Sequence, residues 1–219
     1  SENMGKAMEI VEGLIAGAQP NEEILQNLKG DMIKSRADAK LNQSRCFGAL
    51  QRYMIYGSDF IRRTTLTDPA LQGLTSEQLL AKIGDLMGKQ HEVLYYGPQD
   101  EAEVKAALAA HHKVAADLQP LEKKFSTLQP TDENKVMLAQ YDAKQLYYMQ
   151  YSNRGEKFDL AADPQITLYN EYFGGGMNTI VFQEMREARG LAYSAWANLA
   201  IPTNAKGDYY YMAFIATQN

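Results

Sequence analysis

The sequence contains little cysteine and little histidine. Its 219 residues include one cysteine, Cys46, and three histidines, of which His111 and His112 are adjacent. One cysteine alone cannot form an internal disulfide or a thiolate cluster. No histidine begins an H-x-x-E-H or H-E-x-x-H run, because Tyr95 stands where His91-Glu92 would need a second histidine. We therefore expect no metal site in this chain, and we interpret His111 and His112 as a solvated pair on a helix.

The sequence also lacks long apolar runs and basic surfaces. No stretch approaches the roughly 18 apolar residues that would cross a bilayer, and the first residues, SENMGKAMEIVEG, lack the basic start and apolar core of a signal peptide. The formal net charge is −5, and no basic stripe carries interleaved aromatic residues. We expect a soluble globular protein of the bacterial cytoplasm or periplasm, with no nucleic-acid partner and no membrane span.

The most informative stretch is 172–193, YFGGGMNTIVFQEMREARGLAY. Apolar residues recur in it every four positions, which predicts one face of a single helix. These residues are Phe173, Met177, Val181 and Met185. Gly190 then ends the helix, and from Leu191 the apolar residues alternate with a period of two, as in a strand. This pattern puts Arg186 in the last helical turn and Tyr193 near the start of the strand.

Spacing alone favours structural roles for these residues. Tyr193 alternates in phase with Ala195, which predicts a buried core tyrosine. Arg186 alone would be a surface residue paired with Glu187, or a cation favoured at a helix C-terminus. The glycines at 174–176 are not preceded directly by a strand or followed by Gly-Lys-Ser or Gly-Lys-Thr, so a phosphate cradle is disfavoured. Close packing, or a hinge at the start of the helix, explains them better.

The same stretch resembles the second half of the pitrilysin or insulinase-type zinc peptidases, the inverzincins, including the processing-peptidase branch. The resemblance rests on an ordered string of short motifs. These are Gly174-Gly175-Gly176-Met177-Asn178, Phe182-Gln183-Glu184, Arg186-Glu187 and Arg189-Gly190-Leu191-Ala192-Tyr193-Ser194. It implies that Arg186 and Tyr193 lie across a cleft from the zinc, contact the bound peptide and take part in catalysis. It also implies that the parent enzyme's zinc is held by an H-x-x-E-H helix in the other half, so this chain holds no cofactor.

Local signals outline the rest of the chain. Residues 1–117 are interpreted as the helical back half of one family domain, ending in a strand and a helix. Asn21, Thr75 with Gln78, and Asp100 are expected to begin helices, and a third helix is expected to end before Gly57. The predicted strand is Glu92–Tyr96. Residues 118–135 carry two Leu-Gln-Pro triplets and are interpreted as a linker.

Residues 136–219 are interpreted as the front half of the next family domain, which carries the Arg/Tyr motif. They are expected to contain a hairpin of 136–141 with 145–151, the helix with its glycine run, and strands near 191–201 and 208–217. The predicted fold class is α+β, an antiparallel sheet with helices packed on one face. We expect the tail and the head to form one composite sheet, or else to leave open strand edges that favour a homodimer.

Three functions remain open at this stage. The first is the substrate-binding, non-metal portion of a zinc-dependent endopeptidase, inactive alone. Its partners are peptide or unfolded polypeptide and a zinc-bearing lobe in the same parent chain or a partner subunit. The second is a non-catalytic structural or peptide-binding subunit of a processing-peptidase-like complex. The third is an α+β interaction module in which Arg186 and Tyr193 are incidental.

Overall fold

The computed structural model describes residues 3–121 and 127–218. The predicted linker 118–135 lies in part outside these residues. The chain divides into two compact units, the first made of residues 1–34 and 67–124 and the second of residues 35–66 and 125–219. The assignment of 1–117 and 136–219 to two domains of a longer protein stays a prediction.

The described part of unit 1 is helical. Its helices are α1 (Met4–Gly17), α2 (Glu22–Lys40, which continues into unit 2), α4 (Asp68–Gln72), α5 (Ser76–Met87) and α6 (Glu101–His111). The predicted caps are confirmed for α2, α5 and α6: the Asn21 side chain accepts from Ile24 N–H at 2.9 Å, Thr75 forms a capping box with Gln78, and Asp100 accepts from Glu103 N–H. These caps depend only on neighbouring residues, so the local sequence is enough to predict them.

A buried lysine joins α2 to the chain around α4. The side chain of Lys29 is 4% exposed, and its ammonium donates to the carbonyl oxygens of Gln72 at 3.0 Å and Leu74 at 2.5 Å. Glu22, 3.7 Å from the same ammonium, accepts from the Ser76 N–H at 3.0 Å. The backbone hydrogen bond from Ser76 is the main reason that the pKa of Glu22 is lowered. A buried ammonium is tolerated here because its hydrogens have oxygen partners.

The predicted strand Glu92–Tyr96 is not formed. The described residues of this segment have no regular secondary structure, and Leu94 and Tyr96 are 94% and 104% exposed. Only an isolated bridge between Lys89 and Gln119 lies beside it. A segment rich in strand-forming residues does not form a strand unless it has a partner to pair with. The composite sheet expected from the two halves stays a prediction.

Unit 2 contains a three-stranded antiparallel sheet within the described residues. Its strands are β1 (Leu146–Ser152), β2 (Ser194–Ala200) and β3 (Tyr210–Thr217), in the spatial order β1-β3-β2. The α+β fold class and the strands near 191–201 and 208–217 are confirmed. The predicted hairpin of 136–141 with 145–151 is wrong, because β1 pairs with β3 and Val136 is 87% exposed. Asp142-Ala143-Lys144 lacks the glycine that a tight hairpin turn favours.

Helix α3 (Gln43–Thr64) covers one face of this sheet through Phe47, whose ring lies 5.5 Å from that of Tyr147 and 5.7 Å from that of Phe214. The helix was predicted to end before Gly57, but it continues beyond a kink there, where φ is 75°. The kink allows the Ile55 carbonyl to accept from Gln129 N–H at 2.7 Å. A glycine adopts this backbone conformation without the usual steric cost.

The glycine run divides the predicted single helix in two. Helix α7 (Asp163–Phe173) ends at Gly174, and α8 (Ile180–Phe182) follows and continues into a π-helical segment, Gln183–Ala188. The Gly174 carbonyl accepts from Ala197 N–H at 3.3 Å, and a Cβ on Gly174 would lie 2.2 Å from the Ala197 oxygen. The four-residue apolar spacing across this break is therefore not one helical face. Gly174 packs closely against β2, which was one of the two explanations given for the glycine run.

Replacing Gly174 with alanine is expected to destabilise unit 2, because the new methyl group has no room beside the Ala197 carbonyl. The expected loss is about 1–3 kcal/mol, the usual cost of overpacking. The matched control is Gly176→Ala, since a Cβ there meets nothing within 4 Å. Urea unfolding followed by the fluorescence of Trp196, the only tryptophan, measures both. Equal midpoints for the two variants would contradict the close approach.

Candidate functional site

Arg186 and Tyr193 lie in contact at the junction between helix and sheet. The Arg186 guanidinium carbon is 4.6 Å from the centroid of the Tyr193 ring and 4.8 Å from that of the Phe182 ring. Phe182 precedes Arg186 by four residues, so the two face each other on one side of the helical segment. A cation above an aromatic face is attracted by the ring quadrupole. The two residues singled out from the sequence are thus brought together.

The backbone around Gly190 positions this pair. Arg186 belongs to the last turn of the π-helical segment, as the sequence predicted for a helix. Gly190 has φ 59°, and its N–H donates to the Arg186 carbonyl at 3.1 Å, while Leu191 N–H donates to Met185 at 2.9 Å. The Leu191 carbonyl accepts from the Thr217 hydroxyl at 2.5 Å, which ties this connection to the end of β3. π-helical turns occur often at functional sites.

Tyr193 is exposed and not buried. It is 76% exposed, whereas Ala195 and Ala197 are 8% and 2% exposed. The interpretation of Tyr193 as a core tyrosine is wrong, because β2 begins only at Ser194 and the alternation of the strand does not reach back to it. The phenol therefore faces solvent at the edge of the sheet.

Arg186 also makes the ion pair expected for a surface residue. Its Nε lies 3.3 Å from a Glu187 carboxylate oxygen, and the two side chains are 35% and 52% exposed. The next arginine, Arg189, pairs with Glu184 at 3.2 Å. Pairs at this exposure contribute little to stability. The two ion pairs balance the charges around Arg186 and Tyr193. They leave most of the guanidinium donors of Arg186 available.

An open aromatic pocket of about 410 Å³ lies beside Tyr193. It is lined by side chains from α3, from all three strands and from the residues just before β1 and β2. These are Ser44, Phe47, Gln51, Gln145, Tyr147, Met149, Tyr193, Ser194, Trp196, Phe214 and Ala216. Phe214 is central, with the Trp196 ring stacked at 5.8 Å and the Tyr147 ring edge-on at 5.7 Å. Apolar walls with a few polar groups are typical of ligand sites.

Arg186 is not among the residues that line this pocket and reaches it only through Tyr193. Sequence reasoning missed the other lining residues. The lining residues that belong to strands lie two positions apart, at 147 and 149, 194 and 196, and 214 and 216. This two-residue period was the sequence signal that could have identified them. Nothing in the local sequence indicated Phe47, because this residue precedes β1 by about a hundred residues.

Farther along the same sheet face, two tyrosines stay neutral. Burial raises the pKa of Tyr151 to about 12, and it also raises the pKa of Tyr210, whose ring lies 5.9 Å from that of Tyr151. The Tyr151 hydroxyl donates to the Gln129 carbonyl at 2.7 Å. The Tyr151 phenol is therefore a protonated structural donor and not a base.

Within residues 3–121 and 127–218, no three or more histidine, cysteine, aspartate or glutamate side chains form a group that could hold a metal ion. The arrangement around Arg186 offers hydrogen-bond donors, a cation and aromatic walls. Such groups can bind an extended peptide and stabilise developing negative charge. Across the described part of the chain, no helix is long and apolar enough to span a bilayer.

The fold and site define an α+β domain with an arginine-tyrosine pair beside an aromatic pocket. The chain is similar to the crystal structure of a peptidase M16 inactive domain from Pseudomonas fluorescens, with a TM-score of 0.63 and 19% sequence identity. The match covers 90% of this chain and 47% of that chain, so this chain spans about half the length of that structure. No family model and no curated protein matches the sequence. The resemblance to pitrilysin-type peptidases is confirmed at the level of the fold.

Two tyrosines beside the sheet are expected to respond differently when phenylalanine replaces them. Tyr193→Phe should change the free energy of unfolding by less than about 0.5 kcal/mol, since the residue is exposed and its cation–π contact uses the ring. Tyr209→Phe should cost about 1–3 kcal/mol. The buried Tyr209 hydroxyl lies 2.9 Å from the Asp159 carbonyl and the Asp163 carboxylate, and it accepts from Asp159 N–H at 3.1 Å.

Urea unfolding of both variants, monitored by Trp196 fluorescence, measures the difference. A loss of stability in Tyr193→Phe as large as that in Tyr209→Phe would contradict the exposed position of Tyr193.

Proposed function

We propose that this chain is the substrate-binding, non-metal portion of a zinc-dependent endopeptidase of the M16 type. Arg186 and Tyr193 bind the peptide, and the zinc is supplied by another lobe of the parent protein or by a partner subunit. The observation that carries the proposal is the stacking of Arg186 on an exposed Tyr193 at the rim of an open pocket. The similarity in fold supports it, and so does the absence of a three-ligand metal group from the described residues.

The chemistry follows from the two side chains. Peptide hydrolysis at zinc places negative charge on the scissile carbonyl oxygen, and a fixed donor beside that oxygen stabilises the transition state more than the substrate. The Tyr193 hydroxyl is such a donor. The planar guanidinium of Arg186 can hold a backbone carbonyl or a carboxylate of the peptide. Without the zinc-bearing lobe, the chain is expected to be inactive toward peptides.

The alternative function is a non-catalytic structural or peptide-binding subunit of a processing-peptidase-like complex. The similar structure is described as an inactive domain, which favours this alternative as much as the first function. Both functions require peptide binding, and they differ in whether a zinc-bearing lobe restores cleavage. A homodimer through the free side of β1 also stays a proposal, because that strand pairs on one side only within the described sheet.

Peptide binding by the chain itself is the first test. Titration with a tryptophan-free unfolded peptide should change the fluorescence of Trp196 in a saturable way, because this residue lines the pocket. Arg186→Ala should weaken binding about tenfold to a hundredfold, the loss of a hydrogen bond to a charged group.

The matched control is Arg189→Ala, which removes a neighbouring arginine paired with Glu184 and should leave binding unchanged. Equal affinities of Arg186→Ala and the native chain, or equal losses in both variants, would contradict the role of Arg186.

Cleavage is the second test and separates the two functions. The chain mixed with the zinc-bearing lobe of an M16 peptidase should cleave an unfolded peptide, and Tyr193→Phe should lower turnover by about 10²–10³, the effect of losing one oxyanion donor. Tyr148→Phe is a suitable control, because Tyr148 is also exposed and does not line the pocket. Binding without cleavage would favour the non-catalytic subunit, and neither binding nor cleavage would favour an interaction module.

A further inference from the structure

Two of the three histidines, His91 and His112, contact each other in unit 1. The Nε2 atoms of His91 and His112 are 2.8 Å apart, and their rings meet edge to face at 5.0 Å. His111 points elsewhere and pairs through Nδ1 with Glu9 at 2.9 Å. The interpretation of His111 and His112 as a solvated pair is therefore wrong, since each is paired with a different carboxylate of α1.

The outer nitrogen of each ring in the His91–His112 pair has an oxygen partner. His112 Nδ1 lies 2.5 Å from a Glu12 carboxylate oxygen, and His91 Nδ1 lies 2.9 Å from the Lys89 carbonyl oxygen. A carbonyl or a carboxylate oxygen accepts but does not donate, so both Nδ1 atoms carry hydrogen. The hydrogen bond from His112 is the main cause that lowers the pKa of Glu12, which keeps this carboxylate ionised.

The two Nε2 atoms therefore face each other with lone pairs when both rings are neutral. Two lone pairs at this distance repel unless a proton or a metal ion lies between them. Metal-ligating histidines have the same arrangement, with the outer N–H held by a carboxylate or a backbone carbonyl and the other nitrogen directed at the ion. Imidazole nitrogen suits zinc and related transition metals, whereas magnesium and calcium prefer oxygen ligands.

We propose that His91 and His112 bind one divalent zinc-class cation through their Nε2 atoms, with Glu12 and the Lys89 carbonyl orienting the rings. Zinc–nitrogen bonds of roughly 2.0–2.1 Å and a tetrahedral angle separate the two nitrogens by about 3.3 Å. The rings need to move apart by about half an ångström from their present contact. The site is separate from Arg186 and Tyr193 and does not depend on the proposed peptidase function.

Water completes the coordination. His91 is exposed, and the His112 and Glu12 side chains are 20% and 16% exposed, so solvent reaches the metal position while the second-shell carboxylate is partly shielded. With two protein ligands, the site is expected to bind zinc more weakly than a four-ligand structural site.

The charged groups around the pair are Glu12 of α1, Lys113 after α6, the His111–Glu9 pair and the Lys89–Asp85 pair. Glu12 is the carboxylate in direct contact with the pair and offsets the charge of the bound cation.

The test is a titration of the whole chain with zinc chloride in a Cys46→Ser background, which removes the only thiol. Nitrogen NMR of the three imidazole rings should show a one-to-one shift of the Nε2 signals of His91 and His112. Calorimetry should show that His112→Gln abolishes this binding and that Glu12→Ala weakens it about 10- to 100-fold, as expected for a second-shell group.

The matched control is His111→Gln, which removes an adjacent histidine outside the pair and should leave zinc affinity unchanged. The proposal would be overturned if zinc shifted the nitrogen signals of His111 as strongly as those of His112. Equal losses of zinc affinity in the His111 and His112 variants, or no saturable binding up to millimolar zinc, would also overturn it. Far-ultraviolet circular dichroism of each variant checks that unit 1 stays folded, and His91→Gln gives an independent second variant.

Discussion

The outer edge of β2 is closed by the chain that precedes it, and the position of the candidate site depends on this closure. The Gly174 carbonyl accepts from Ala197 N–H, and the Asn170 side chain accepts from Leu199 N–H at 2.8 Å and donates to the Leu199 carbonyl at 2.9 Å. An unpaired strand edge leaves backbone groups without partners. Because α7 supplies those partners, the chain between α7 and β2 has both ends fixed, and it carries Arg186 and Tyr193.

Features that depend on neighbouring residues were predictable from the sequence. The caps at Thr75 and Asp100 were among them, and so were β2, β3 and the helix end at Gly190. Features that depend on distant partners were not. The segment Glu92–Tyr96 has strand composition, but among the residues that the structure describes it pairs with no strand. Strand β1 pairs with β3, some 65 residues later in the chain. The apolar spacing around Gly174 indicated one helix, although the backbone of β2 approaches too closely for the helix to continue.

The candidate site likewise combines features that the sequence indicated with features that it did not indicate. The proximity of Arg186 and Tyr193 was expected only through the resemblance, since spacing alone favoured a buried tyrosine. The pocket beside them was not foreseen, because it combines Phe47 of α3 with Trp196 and Phe214 of two different strands. Sequence periodicity indicates which residues share a face of one element. It does not indicate which helix covers that face.

The contact between Arg186 and Tyr193 leaves the functional groups of both side chains available. A guanidinium held above a ring uses the π face of the tyrosine, so the hydroxyl at the ring edge can still donate to a ligand. The guanidinium keeps N–H donors in its own plane, and Glu187 lies near only its Nε. The interaction thus orients two donors without consuming them, and the proposed peptide binding relies on this preorganisation. A purely structural tyrosine, such as Tyr209, has its hydroxyl bonded within the protein.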